Sequence, residues 1–435
     1  MKEKNEKRLP EHGPGHQTSM TPEGFEDLKG KRVYIETYGC RYNFGDTAKL
    51  QEILKHRNCT LVPSDDHADA VIINTCTVIA ATERRMLRRL VRFRDRELYV
   101  TGCMPIVQPD AIKAVCSPVI IPPGSIHQHY KYCGTVSPDP VGIVQVAQGC
   151  RGHCTYCVTR VARGALKSYP LQEILSQMRA FIRQGAAEIQ LTAQDVSAWG
   201  QDIGTSCADL LNACADLPGN YYVRVGMMNP ATLLSVLDDM IEAFAHDTIF
   251  KFIHVPVQSG SDRVLRTMGR GYCSDDFGQI VAAFRKKYPS ITLATDMIVG
   301  FPGETNEDFS ASLELLDRVR PNKVNVTRFS KRPFTAIADT KGLPDATKKD
   351  RSRIMNLRAE EIYHAINAPL LGQTVPFIVT EKVRRGSVMA RTPSYLGVVL
   401  EEDLPVGYRG QARLEKEHRY YFSGNRGAGG TGKKT

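Results

Sequence analysis

The sequence predicts an α/β protein with an N-terminal parallel-sheet α/β domain, a central partial (βα)6 barrel and a small C-terminal β-barrel. Apolar strand-like runs alternate with helical segments over the first 345 residues, which indicates parallel sheets. Six such units follow one another after residue 135, and successive βα units favour an open barrel. Alternating apolar and polar residues after residue 370 are typical of a small β-barrel.

Composition agrees with a folded chain of this size and limits its function. The chain has 435 residues, 42% of them hydrophobic, which suffices for about three domains. No run approaches the ~18 apolar residues of a membrane span, and the N-terminus is polar rather than a signal peptide. We therefore expect a cytoplasmic protein with no membrane partner. The net charge of +10 favours an anionic partner, with nucleic acid the first candidate.

Six segments are expected along the chain. Both termini lack a hydrophobic period and are rich in polar residues and glycine, which is typical of disorder. The predicted segments are a disordered leader (1–29), an N-terminal domain (30–134), the central barrel (135–345), a connecting helix (346–369), the C-terminal barrel (370–423) and a disordered tail (424–435).

Three predicted strands of the N-terminal domain each lead into a cysteine. The strands and cysteines are Lys31–Thr37 with Cys40, Ala70–Thr75 with Cys76, and Leu98–Gly102 with Cys103. The carboxyl ends of parallel strands lie at one edge of the sheet, where ligands collect. We therefore predict a three-thiol cluster site at this edge. The alternative is that the three cysteines are merely buried at strand ends.

The central domain begins with three cysteines in eight residues, Cys150, Cys154 and Cys157, directly after an apolar run. A structural zinc site or a complete cluster of four irons and four sulfides takes four ligands, so three thiolates leave one iron open. The alternatives are incidental cysteines or half of a zinc ribbon, but no second C-x-x-C or H-x3-H pair follows. The remaining cysteines share no setting and are interpreted as structural: Cys59, Cys116, Cys133, Cys207, Cys214 and Cys273.

Polar residues follow the other predicted strands of the central barrel. In such barrels the chemistry takes place at the carboxyl ends of the strands, so these residues predict a polar rim. The rim residues are Gln194 and Asp195, Arg224 and Asn229, His254, Gln258 and Ser259, Asp296 and Glu304, and Arg328 and Ser330.

The segment Glu83–Arg96 carries seven arginines against two acidic residues, with apolar residues at helical spacing. The arginines are therefore expected on the outer faces of a helix. They form either a solvated surface or a surface that contacts phosphate groups.

Six motifs stand in a defined order along the chain. They are Thr37-Tyr-Gly-Cys40 with Asn43 and Asp46 beyond it, Asn74-Thr-Cys-Thr-Val78, Thr101-Gly-Cys103, the Cys150–Cys157 loop, His254–Asp262 and Asp296–Glu304. In order and spacing they resemble the methylthiotransferase family of radical S-adenosylmethionine (SAM) enzymes. The segments 158–170, 198–204 and 225–230 are similar to the archaeal and eukaryotic branch, which modifies tRNA.

The resemblance implies conversion of N6-threonylcarbamoyladenosine, next to the anticodon, to its 2-methylthio derivative. It implies one 4Fe-4S cluster on Cys150, Cys154 and Cys157 and a second on Cys40, Cys76 and Cys103, with SAM as radical source and methyl donor. The SAM contacts that we expect are Tyr156, Asp195, Arg224, Gln258 and Glu304, with no catalytic residue beyond the cluster ligands.

The implied partners are tRNA, an electron donor and a sulfur source. The C-terminal barrel resembles the TRAM domain, which suggests RNA binding, although a structural cap is the alternative. Other functions stay open from the sequence. They are methylthiolation of isopentenyladenosine in tRNA or of a ribosomal-protein aspartate, and a non-catalytic iron–sulfur protein that binds RNA. Segment 158–170 argues against the first two.

Overall fold

The computed structural model describes residues 25–426, apart from 79, 132, 134 and 137. Most of the predicted leader and tail therefore lies outside the described residues. Phe25 and Leu28 are buried against the N-terminal sheet, so the prediction of disorder is wrong for residues 25–29. The last strand continues to Arg426, three residues beyond the predicted end of the C-terminal barrel.

The N-terminal domain is a parallel sheet with helices on both faces. Its elements are β1 (Arg32–Thr37), α1 (Arg41–His56), β2 (Thr60–Leu61), a 3-10 turn (Asp65–His67), β3 (Ala70–Thr75), α2 (Ala80–Arg92), β4 (Glu97–Gly102), α3 (Met104–Val107), α4 (Pro109–Lys113), β5 (Val119–Ile120) and α5 (Pro123–Lys131). The strand order is β2-β1-β3-β4-β5. Strand β3 is buried along its whole length because both faces of the sheet are covered, which explains its continuous apolar run.

The central domain contains the six predicted parallel strands. Its elements are β6 (Val141–Gln145), β7 (Ala147–Gln148), α6 (Thr159–Arg163), β8 (Lys167–Ser168), α7 (Leu171–Arg183), β9 (Glu188–Thr192), α8 (Cys207–Ala215), β10 (Tyr222–Val225), α9 (Pro230–Leu234), α10 (Leu237–Ala243), β11 (Phe252–His254), α11 (Asp262–Thr267), α12 (Ser274–Lys287), β12 (Thr292–Val299), α13 (Asn306–Val319) and β13 (Lys323–Arg328).

These six strands form two three-stranded sheets, β6-β9-β10 and β11-β12-β13. Single parallel bridges, Val223 to Ile249 and Met227 to His254, join β10 to the segment of β11. The six strands therefore stand side by side in the order in which they follow one another along the chain. Along each strand, every second side chain points outward and packs against the helices. The side chains between them face the inside of the arc and include polar ones such as Gln190 and Asp296.

The C-terminal domain is a closed five-stranded barrel in the order β14-β15-β16-β18-β17. Its elements are α14 (Asp345–Asn367), a 3-10 turn (Ala368–Leu370), β14 (Thr374–Arg384), β15 (Ser387–Arg391), β16 (Gly397–Leu400), β17 (Arg409–Glu417) and β18 (Tyr421–Arg426). The sequence predicts three long β runs, 374–383, 387–400 and 407–422, but turns divide the second and the third. One turn contains Pro393, which has no N–H group for a strand ladder.

Tyr395 attaches the C-terminal barrel to the central domain. Its ring packs 4.8 Å from the rings of both Phe250 and Phe252, and its hydroxyl donates to Glu188 Oε1 at 2.6 Å. The backbone N–H of Lys251 donates to the carbonyl of Pro393 at 2.8 Å. The 392–396 turn therefore closes the amino-terminal end of the central strands.

Among the described residues, no helix is long and apolar enough to cross a membrane.

Replacing Tyr395 with Ala should lower the free energy of unfolding by about 3 kcal/mol, because the ring packing and the hydrogen bond to buried Glu188 are both lost. Denaturant unfolding would measure this loss. The control is Val383→Ala in the same barrel, where the side chain is exposed and the expected change is within about 0.5 kcal/mol. Equal effects of the two substitutions would contradict the attachment role.

Candidate active site

The cysteine loop of the central domain lies between β7 and α6 and is fixed by its backbone. The N–H of Cys150 donates to the carbonyl of Gly164 at 3.3 Å, and the N–H of Thr155 donates to the carbonyl of Met268 at 2.9 Å. A Cβ atom at Gly152 would lie 3.3 Å from Cys150 Sγ and 3.6 Å from Cys154 Sγ. Two of the three sulfurs therefore border one small space, which glycine leaves open.

The electrostatics of this loop suit positively charged metal. Burial raises the pKa of Cys150 to about 11, and it also raises the pKa of Cys154. The nearby Asp195 carboxylate raises both values further. Thiolates in this setting need a positive partner, which ligated iron would supply.

The second group of cysteines lies at the carboxyl edge of the N-terminal sheet, as predicted. Cys40 precedes α1, Cys76 follows β3 and Cys103 follows β4, and β1, β3 and β4 are adjacent strands. The amide of Asn43 donates to the carbonyls of Tyr38 and Thr75, both at 2.8 Å, and so ties the first two loops together. The Cys103 N–H donates to the carbonyl of Thr75 at 3.0 Å and ties in the third loop.

In the part of the chain that the structure describes, no group of three or more Cys, His, Asp or Glu residues is spaced to hold a single metal ion. At neither group of cysteines do the described residues form a compact site for one ion. In a 4Fe-4S cluster each cysteine ligates a different iron, so its sulfurs stand farther apart than the ligands of one ion. Both groups therefore remain candidates for a cluster.

Arg163 connects the two groups of cysteines. It lies six residues after Cys157, yet its Nη2 reaches the N-terminal domain and donates to Asn43 Oδ1 at 2.8 Å and Asp46 Oδ2 at 2.7 Å. Burial raises the pKa of Cys103 to about 11, and the positive charge of Arg163 limits this rise. The buried Nη1 of Arg163 makes no hydrogen bond of normal geometry among the described residues, although the guanidinium lies close enough to act on the Cys103 thiol. An unused donor beside these thiols fits the sulfur atoms of a cluster.

Arg270 has a similar place at the cysteine loop. Its Nη2 donates to the Tyr156 hydroxyl at 2.5 Å, and its buried Nε has no partner among the residues described. Its charge lowers the pKa of Cys154, which burial raises. Sequence reasoning missed both Arg163 and Arg270. Arg163 falls within segment 158–170, which the resemblance singled out as a whole.

Two predicted SAM contacts, Asp195 and Gln258, lie in loops that follow strands of the central domain. Asp195 is buried near Cys150 and accepts from Ser197 Oγ at 2.7 Å and Thr232 Oγ1 at 2.8 Å. Burial raises its pKa despite these bonds. Gln258 has a left-handed φ of 75°, and its backbone N–H donates to the Asp296 carbonyl at 2.8 Å.

Two other predicted SAM contacts are engaged by the protein itself. The Arg224 guanidinium lies 4.8 Å from the Phe252 ring and 5.5 Å from the Tyr395 ring, on the side that the C-terminal barrel closes. Glu304 Oε2 accepts from the Gly300 N–H at 2.6 Å and from Arg351 Nη1 at 2.5 Å. Arg224 thus packs on aromatic rings, with its buried Nε left without a partner among the described residues, and Glu304 forms an ion pair; contact of either residue with SAM stays a prediction.

The inner face of β11, β12 and β13 forms a polar cleft. Asp296 Oδ1 lies 3.1 Å from His254 Nε2 and accepts from Asn325 Nδ2 at 2.6 Å. Burial alone would raise the pKa of Asp296, but His254 and Asn325 outweigh it and hold this pKa below its usual value. Lys323 and Asn325 are exposed on the same face of the edge strand β13. The cleft is therefore open and offers donors, acceptors and a positive charge to a polar ligand.

Replacing Gly102 with Ala should remove iron from the site of the N-terminal domain. Gly102 has a φ of 90°, and an added Cβ would lie 2.2 Å from the Thr75 carbonyl oxygen, between two cysteine loops. After anaerobic reconstitution we expect iron to fall from about eight atoms per chain toward four. Gly124→Ala is the control, because nothing lies within 4 Å of its Cβ. Full iron content in the Gly102 variant would contradict this account.

Replacing Arg163 with Gln should cost about 3–5 kcal/mol of unfolding free energy, since it leaves buried Asp46 without its cation. The double variant R163Q/D46N removes both charges and should recover part of this loss. Denaturant unfolding of the apoprotein measures both variants. A single variant as stable as the parent would show that the pair does not hold the two domains together.

Comparisons with known proteins place the two cysteine groups in two known families. Residues 144–316 match the radical SAM superfamily, and residues 32–120 match the uncharacterized protein family UPF0004. Among solved structures, the radical SAM methyltransferase TsrM from Kitasatospora setae, with cobalamin and a 4Fe-4S cluster bound, aligns with a TM-score of 0.49 at 14% identity. That alignment covers 71% of this chain and 77% of TsrM.

Two relatives carry the same functional name. A Pyrococcus abyssi protein named probable threonylcarbamoyladenosine tRNA methylthiotransferase is 39% identical over 88% of this chain and 96% of its own length. A Danio rerio protein named threonylcarbamoyladenosine tRNA methylthiotransferase is 30% identical over 86% of this chain and 76% of its own length. The chain therefore belongs to the threonylcarbamoyladenosine tRNA methylthiotransferase family of radical SAM enzymes.

Proposed function

We propose that this protein converts N6-threonylcarbamoyladenosine, next to the anticodon of tRNA, to its 2-methylthio derivative. The observation that carries the proposal is the pair of three-cysteine groups, placed on adjacent domains and connected by Arg163. The 39% identity to the Pyrococcus abyssi relative, over almost its full length, supports the same substrate.

The residues for two clusters are those that the sequence predicts. Cys150, Cys154 and Cys157 would hold one 4Fe-4S cluster, whose open iron takes SAM. A second 4Fe-4S cluster, which receives the sulfur to be inserted, would be held by Cys40, Cys76 and Cys103. When bound, the clusters and SAM supply the radical and the methyl group that the inert C2–H bond of adenine requires.

The protein's own residues bind and orient the reactants. Arg270 fixes the Tyr156 hydroxyl beside the cysteine loop, where the ring can pack against the cofactor. The bonds from Ser197 and Thr232 to Asp195 hold the next loops of the rim in place. We assign Tyr156, Asp195 and Gln258 to the SAM site, and Arg224 and Glu304 to its structural support.

The polar cleft favours the threonylcarbamoyl substituent over an isopentenyl group. The threonyl part carries a carboxylate, which suits the positive charge of the exposed Lys323. An isopentenyl group is apolar, so it offers no partner to the charge of Lys323 and would only shield that charge from water, which is unfavourable.

Partners follow from the reaction and from the charge of the chain. The C-terminal barrel and the net charge of +10 suit tRNA. An electron donor must reduce the SAM-binding cluster, and a sulfur source must supply the inserted atom. A cytoplasmic location, where thiols stay reduced, fits these requirements.

Two cysteine substitutions should separate SAM cleavage from sulfur insertion. Cys154→Ala should abolish SAM cleavage, whereas Cys76→Ala should retain cleavage and lose the methylthio product. The measurements are 5′-deoxyadenosine release and nucleoside mass spectrometry of the tRNA, with Cys116→Ala as a control outside both groups. Methylthio product from the Cys76 variant would contradict the two-cluster assignment. If the parent protein leaves the threonylcarbamoyladenosine in tRNA unchanged, the substrate proposal is wrong, and cluster binding without turnover would indicate a non-catalytic RNA-binding protein.

A further inference from the structure

The arginines of α2 and the segment after it divide into two sets. Arg89 pairs with Glu36, Arg92 Nη2 donates to Asp65 Oδ2 at 2.7 Å, and Arg96 Nη1 donates to the Asp65 carbonyl at 2.8 Å. Arg94 pairs with its neighbour Asp95. The charges of these four arginines are therefore engaged within the N-terminal domain.

The other set lies in the first turns of α2. Arg84, Arg85 and Arg88 are exposed, and among the described residues none of them forms an ion pair. The acidic residue of this helix is turned inward, because Glu83 accepts from Arg332 Nη1 at 2.5 Å and from Gln108 Nε2 at 3.1 Å. The exposed face therefore carries uncompensated positive charge.

Arg332 fastens the loop after β13 to the start of this helix. It is only 6% exposed, and its Nε donates to the Val78 carbonyl at 3.2 Å. Val78 stands two residues after Cys76, so the loop, the helix and the N-terminal cysteine site are held side by side. These bonds join residues about 250 positions apart and fix one continuous surface.

The same loop presents an aromatic ring to solvent. Phe334 is 60% exposed, more than any other large hydrophobic side chain in the described part of the chain. Its φ of 62° is costly for a residue with a bulky side chain, and such strain persists mainly at functional sites. Lys331 is exposed close by in the sequence and adds a further positive charge.

We infer that Arg84, Arg85, Arg88, Lys331 and Phe334 form an RNA-docking surface, which binds phosphates through the basic side chains and stacks an unpaired base on Phe334. This inference rests on the proposed function and adds the place where the substrate loop is held. Single-stranded RNA is bound by basic grooves combined with aromatic rings. An acidic protein would use the charges but would have no need of a strained, exposed phenylalanine.

The test uses the reconstituted full-length protein and an RNA stem-loop with an anticodon-loop sequence. Dissociation constants are measured by fluorescence anisotropy over a range of salt concentrations. The triple variant R84Q/R85Q/R88Q should bind at least tenfold more weakly. The slope of log affinity against log salt should fall by about 0.7 for each lost phosphate contact, or about 2 in total.

Phe334→Ala should weaken binding about tenfold and leave the salt slope unchanged, because stacking releases no counterions. Controls are Arg179→Gln and Leu357→Ala, which remove an exposed cation and an exposed apolar side chain elsewhere. Both should bind like the parent, and iron content should be equal in all variants.

Unchanged affinity and slope in both test variants would overturn the docking surface. It is also overturned if the variants bind RNA normally and lose turnover only with a protein electron donor, because the surface would then dock an acidic donor. Product formation by the parent, with chemical reductant, separates this result from a failure of the proposed function. A parent protein that neither binds nor modifies the RNA would refute both.

Discussion

The buried ion pair between Arg163 and Asp46 is the constraint on which the arrangement of this protein depends. It joins the helix that follows the cysteine loop to the helix that follows Cys40, with the two charges 2.7 Å apart and almost fully buried. Buried pairs gain little net stability, because desolvation offsets most of the attraction. They do fix orientation, since any other placement leaves a charge buried alone. Here that orientation sets how the two groups of cysteines face each other.

Similar contacts fix the remaining junctions. Tyr395 closes the amino-terminal end of the central strands, and Arg332 joins the end of the central domain to the loop after Cys76. Glu304 and Arg351 form another buried pair, which holds the loop after β12 against α14. A reaction that brings a radical, a sulfur atom and a base together tolerates little relative motion of its parts. The junctions supply that rigidity, because each is a buried polar contact with defined geometry.

Much of this arrangement could be predicted from the sequence. Cys40, Cys76 and Cys103 meet because adjacent parallel strands end at one edge, and the strand signal is local. The contacts of the Arg224 and Glu304 side chains could not be predicted, because their partners Tyr395 and Arg351 come from distant parts of the chain. The same is true of Arg163, whose partner Asp46 lies 117 residues away. Position at a strand end identifies a rim, but long-range packing decides which rim side chains face the ligand.

Two of the five unsatisfied arginine nitrogens among the described residues lie beside cysteines, where they link folding to cofactor binding. Arg163 Nη1 and Arg270 Nε are buried without partners in the described part of the chain, each beside a different group of cysteines. An unmade hydrogen bond to a buried charged group costs on the order of 1–3 kcal/mol, and buried thiols resist the charged form. A cluster held by each group of cysteines would remove both costs together, because its iron would stabilise the thiolates and its sulfur atoms would accept the free N–H groups. Each unpaired nitrogen is thus a local cost in the apoprotein that a bound cluster would relieve, so cluster binding and the docking of the domains would favour each other.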